Sequence, residues 1–122
     1  MRKLIITAFL FVSSMITNSN ADGHAIKMGI ILGFTGPIES LTPAMAASAE
    51  LAFKEASDSG SLLGGKYISV TRADSTCVDS AAAVTAAEGL VSAGTVAIMG
   101  ADCSGVTGAI AEKVAVPNGV VM

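Results

Sequence analysis

The stretch Ala101-Asp102-Cys103-Ser104-Gly105 lies between an apolar run, Thr95 to Met99, and a helix-like run, Val106 to Ala115. A cysteine at such a strand-to-helix corner suits two chemistries. Held on a sharp turn, its sulfur can be the nucleophile of an exported hydrolase or amidotransferase-like enzyme. Bonded to a second cysteine, it can brace a helix start whose free N–H groups and dipole attract an anion. The nucleophile reading needs a base, and the single histidine, His24, stands before the first strand. Asp102, being anionic, disfavours a thiolate at its neighbour.

The second cysteine, Cys77, lies in Asp74-Ser75-Thr76-Cys77-Val78-Asp79, just after the second strand and at the same sheet edge as Cys103. Two cysteines in an exported chain pair more often than not, and a bridge between these two loops is geometrically reasonable. Closing a loop of this size stabilises a domain by about 3–4 kcal/mol in the chain-entropy view. Free thiols and metal ligation stay open as alternatives, although two cysteines with no nearby histidine make a poor zinc site. Ser104 reads structurally as the N-cap of the third helix and functionally as a hydroxyl facing a carboxylate. Asp74 and Asp79 resemble loop and cap residues rather than an acid/base pair. The sequence contains no phosphate-loop, dinucleotide-binding or His-Glu-x-x-His motif.

These residues depend on the elements that carry them. Arg2 and Lys3 precede an apolar run from Leu4 to Ile16, and Ser19-Asn20-Ala21 supplies small residues for cleavage before Asp22. Residues 1–21 therefore read as a signal peptide, and periplasmic export follows. Without them the chain keeps five Lys/Arg against ten Asp/Glu, which argues against nucleic acid or an anionic membrane as partner.

From Lys27 two periods alternate. The run to Phe34 is apolar enough for a strand buried on both faces. Thr42 reads as an N-cap and Pro43 as a first helical residue. Met45, Ala49, Ala52, Phe53 and Ala56 recur at helical spacing, with Glu50 and Lys54 paired on the other side. A strand follows over Lys66–Ala73, then a helix whose apolar side carries Ala83, Val84, Ala87, Leu90 and Val91. A strand at Thr95–Met99 and a helix from Ser104 come next. Pro117-Asn118-Gly119 turns into Val120-Val121-Met122, the opening of a fourth strand. The order β-α-β-α-β-α-β predicts an open parallel sheet with flanking helices. Ligands of such sheets bind outside the carboxyl ends of the strands, where Gly33–Leu41 and Gly100–Ser104 fall.

Several segments together resemble the amino-terminal lobe of type I periplasmic binding proteins, nearest to the leucine/isoleucine/valine-binding branch of ABC importers. They are Thr35-Gly36-Pro37 after the first strand, Gly64-Gly65 through Val70 to Asp74, and the loop pair Cys77-Val78-Asp79 and Gly100 to Ser104. The resemblance spans Ile26 to Met122. It implies a two-lobed, non-enzymatic solute binder of which residues 22–122 are an incomplete first lobe. It also implies a Cys77–Cys103 disulfide and contact of Ser104, with nearby N–H groups, with a ligand α-carboxylate. The implied partners are an amino-acid-like ligand and an inner-membrane ABC permease. No cofactor, metal or nucleic acid is expected, and the protein should be monomeric. Cys103, Asp102 and Leu41 complete the expected ligand surface. Leu41 replaces the aromatic or polar residue frequent in amino-acid binders. Asp102 replaces an apolar one, and would repel an acidic ligand or meet an ammonium group. The resembled superfamily is broad, so amides, urea and aromatic acids are alternative ligands on the same fold.

Overall fold

The computed structural model describes residues 24–122. The expected signal peptide and the cleavage site before Asp22 lie outside them. Three parallel strands, β1 (Ala25–Leu32), β2 (Tyr67–Asp74) and β3 (Ala97–Gly100), form a sheet in the order β2-β1-β3. Helix α1 (Thr42–Asp58) connects β1 to β2, and α2 (Ser80–Ser92) crosses from β2 to β3. Helix α3 (Ser104–Ile110) continues through a π turn (Ala111–Ala115) into α4 (Val116–Asn118). The parallel sheet flanked by helices is the architecture the sequence periods predict.

The alternation of β1 explains the two layers. Ile30 and Leu32 pack with Ala46, Phe53 and Met99 on the α1 side, while Ile31 joins Ala83, Ala87, Leu90, Val106 and Ile110 on the other. All three β1 residues are buried. Small residues on α2, notably Ala83 and Ala87, let that helix sit close to the strands. The chain steps from β1 out to β2 and then crosses back past β1 to β3, so the two connections run in opposite directions and the switch point of the fold lies between β1 and β3.

Several local expectations are corrected. Leu41, not Thr42, is the N-cap of α1, without a side-chain cap bond. Thr42 is fully buried, and its hydroxyl donates to the Gly33 carbonyl at 3.1 Å. That bond turns the helix so that Thr42, Ala46, Ala49 and Phe53 face the sheet, leaving Met45 and Ala52 exposed. Glu50 pairs with Arg72 of β2, at 2.6 Å and 2.7 Å through two N–H groups, rather than with Lys54. Lys54 pairs with Asp58 instead. A planar guanidinium that meets both carboxylate oxygens outcompetes a flexible ammonium one turn away.

The turn expected at Pro117 is helical. Proline has no N–H to give to the preceding turn, and the chain widens there, with Val116 N–H donating to Ala111 O. Val121 then pairs with Ala97, and Ile98 N–H donates to Val121 O at 2.8 Å, so a fourth parallel segment docks on the outer side of β3.

Candidate functional site

At the carboxyl edge of the sheet three loops converge: residues 33–41 after β1, 75–79 after β2, and 101–103 after β3. A disulfide joins Cys77 to Cys103, with the Cα atoms 5.3 Å apart. Neither described cysteine carries a free thiol. The nucleophile reading of Cys103 is thereby corrected, since a disulfide sulfur is not a thiolate. His24 immediately precedes β1, and the eight-residue strand separates it from the site by about 26 Å of extended chain.

Cys103 is the N-cap of α3, in extended backbone, so Ser104 is the first helical residue rather than the cap. The first intrahelical bond runs from Thr107 N–H to Cys103 O at 2.9 Å. The N–H groups of Ser104, Gly105 and Val106 precede it and have no partner in the helix. Ser104 is exposed, and its hydroxyl makes no hydrogen bond among the described residues. The Thr107 hydroxyl, shared between Ala101 O at 2.7 Å and Cys103 O at 2.9 Å, fixes the corner from below. The corner thus presents donors, and a carboxylate is the group that fits them.

Asp102 points into the loops. Its Oδ2 accepts from Gly33 N–H at 2.9 Å, and its Oδ1 is 3.5 Å from the hydroxyl of fully buried Ser75. Asp74 braces the neighbouring loop. It accepts from the Thr35 hydroxyl at 2.6 Å and from the Thr76 and Thr35 N–H groups at 2.8 Å and 3.3 Å. Burial pushes its carboxyl up, but the Thr35 hydroxyl and the N–H groups of Thr76, Thr35 and Phe34 outweigh that and hold it below the ordinary value. Gly36 seals the same contact. Its φ is +95°, and a Cβ there would lie 2.5 Å from Thr76 O.

Leu41, 60% exposed, stands at the rim where α1 begins, and Val78 is exposed two residues before α2. Among the described residues these groups line an open surface with no enclosed cavity and no cluster that could hold a metal. The structure therefore places Ser104, Cys103, Asp102 and Leu41 along one sheet edge. The Asp102–Gly33 and Asp74–Thr35 ties were not among the expected contacts. Both tie a carboxylate to a loop residue distant in sequence, through a backbone N–H for Gly33 and through both hydroxyl and N–H for Thr35, and no spacing rule exposes them.

Open parallel sheets take ligands outside the carboxyl ends of their strands at the switch point, which is the edge where the unpaired donors lie. The chain belongs to the periplasmic binding protein family, whose model matches residues 25–122. No curated protein matches it. Among solved structures it is similar to LivJ of Streptococcus pneumoniae, the branched-chain amino acid transporter substrate-binding protein, in complex with isoleucine. The identity is 29% and the TM-score 0.69, over 79% of this chain and 27% of that one. A solute-binding protein of an ABC transporter of Rhodopseudomonas palustris, in complex with benzoate, shows 27% identity and a TM-score of 0.64, over 79% and 26%. A second R. palustris structure, an ABC-type branched-chain amino acid transporter protein, shares the fold at 24% identity and a TM-score of 0.67, over 78% and 25%. The chain spans about a quarter of the length of the solved structures it matches.

Proposed function

We propose that this chain forms one wall of the ligand cleft of an exported solute-binding component of an ABC importer, and that the wall grips the carboxylate of a small solute. The observation that carries the reading is the start of α3, where the Ser104 hydroxyl and three N–H groups lack protein partners at the switch-point edge. The ligands of the two neighbours support it, because isoleucine and benzoate differ in nearly everything except the carboxylate. In this reading Ser104 and the neighbouring N–H groups take the carboxylate. Cys103 and Leu41 contact the remainder, and Asp102 completes the edge. An amino acid of the branched-chain type is the first candidate, with Leu41 against its side chain. Periplasmic location, a signal peptide over residues 1–21 and delivery to an inner-membrane permease belong to the same proposal. A second lobe closing over the ligand by a hinge would complete the cleft.

Calorimetric titration tests the carboxylate claim. Isoleucine and benzoate should bind, their amides isoleucinamide and benzamide should not, and Ser104→Ala should weaken the acids by about 1.5–3 kcal/mol, the range for a hydrogen bond to a charged group. Equal binding of acids and amides would overturn it and favour the amide or urea alternative.

A further inference from the structure

We infer that Asp102 is a positioning residue, whose carboxylate sets the start of α1 against the start of α3 and so fixes the distance between Leu41 and Ser104. The inference rests on the proposed ligand edge and concerns how that edge is held. Gly33 is the centre of the arrangement. Its N–H donates to Asp102 Oδ2 at 2.9 Å, and its carbonyl accepts from the Thr42 hydroxyl at 3.1 Å. One peptide segment therefore links the residue two before Ser104 to the residue one after Leu41. Gly33 and Thr42 are both buried, so neither group has water as a substitute partner.

Asp102 also reaches the third loop through Ser75, whose one side-chain hydrogen bond among the described residues is to this carboxylate and whose N–H donates to Leu32 O at 2.9 Å. The next residue, Cys103, is covalently tied to the same loop through Cys77. Two adjacent residues thus cross-link all three loops, one by a disulfide and one by a charged acceptor. An apolar residue in place of Asp102 would leave the Gly33 N–H buried and unpaired, a costly state, so the carboxylate is matched to this particular β1 loop. Both oxygens are turned toward protein donors, which assigns Asp102 to the support of the site rather than to the ligand.

The test uses the ligand-free, oxidised full chain labelled for NMR. A scalar coupling across the hydrogen bond, from the Gly33 nitrogen to the Asp102 side-chain carboxyl carbon, should be present in the wild type. In Asp102→Ala the Gly33 amide should exchange with solvent about tenfold faster or more, as expected for losing a charged acceptor. The amides of Leu41, Thr42, Ser104 and Gly105 should shift together, while those of Ala87 and Ile110 stay in place. Asp102→Asn, which keeps one acceptor oxygen, should restore both readouts. Absence of the coupling, unchanged Gly33 exchange, or shifts confined to residues 101–105 would overturn the inference. If Asp102→Ala does not fold, the wild-type coupling and Asp102→Asn decide the matter. Failure of isoleucine and benzoate to perturb the Ser104 amide would refute the carboxylate reading instead, leaving the Gly33 results to judge Asp102.

Discussion

The disulfide offers the most quantitative prediction. Cys77 and Cys103 are separated by 26 residues, a segment that contains the whole of α2 and of β3. In the chain-entropy treatment, closing a loop of that size removes about 12 cal/mol/K from the unfolded ensemble, or about 3.5 kcal/mol at room temperature. The Cα separation of 5.3 Å lies in the ordinary range for disulfides, so the fold should need no rearrangement to hold the bond. A small domain typically has about 5–15 kcal/mol in all, so the bridge is a large fraction of it. Urea denaturation of the oxidised chain against Cys77→Ser/Cys103→Ser should show a loss of about 3–4 kcal/mol, by difference of midpoints. The slope in urea should fall slightly with the bond present, because a cross-linked unfolded chain exposes less surface. A difference below about 1 kcal/mol would refute the reasoning, since it would mean that the unfolded chain already holds these loops together.

Two further predictions follow from the site. At Gly100, φ is +119° and a Cβ would lie 1.9 Å from Ile31 O, so Gly100→Ala should cost more than about 4 kcal/mol or abolish folding, measurable by the same urea titration. The folded-state carboxyl of Asp74 lies below its ordinary value of 3.8, so the stability it contributes is present above that value and lost as pH falls through the lower folded value. Acid titration of stability should therefore show a decline below about pH 4 that Asp74→Asn flattens; an identical decline in the variant would contradict the assignment.

The parts of this molecule legible in the sequence are those governed by local chemistry. Ile30, Ile31 and Leu32 form a run that only a doubly covered strand accommodates, and β1 is buried on both faces as that run requires. Gly60, just past the C-cap Ser59, has φ +66°, the left-handed backbone that a glycine after a helix adopts freely. The cysteine pair was readable because both residues follow strands at the same edge. What was not legible depends on contacts between distant segments. The buried face of α1 is offset from its most apolar stripe because the Thr42 hydroxyl finds the Gly33 carbonyl, and Met45 is left at the surface. Glu50 had a local partner in Lys54, yet the parallel sheet brings Arg72 alongside it over the Phe34 ring, 5.7 Å from the ring centroid.

The candidate site divides in the same way. Ser104 was legible as a residue at a helix start, although the structure moves the cap itself to Cys103. The sequence could show that Asp102 lay at the ligand edge, but not which way its carboxylate pointed. The donor that orients it, the Gly33 N–H, is 69 residues away and carries no side chain to betray it. Thr35 and Asp74 are similarly separated by 39 residues, and their tie became visible only when β1 and β2 were placed side by side.

The central claim is that the β1–β3 switch-point edge receives a carboxylate at the start of α3. It is tested most directly by following every backbone amide of the labelled full chain while isoleucine and then benzoate are added. The account predicts that shifts concentrate at Ser104, Gly105 and Val106 for both acids, with Leu41 and its neighbours responding differently to the two side groups. Shifts centred on the opposite edge, around Lys27 and Lys66, or perturbation by the amides equal to that by the acids, would contradict it.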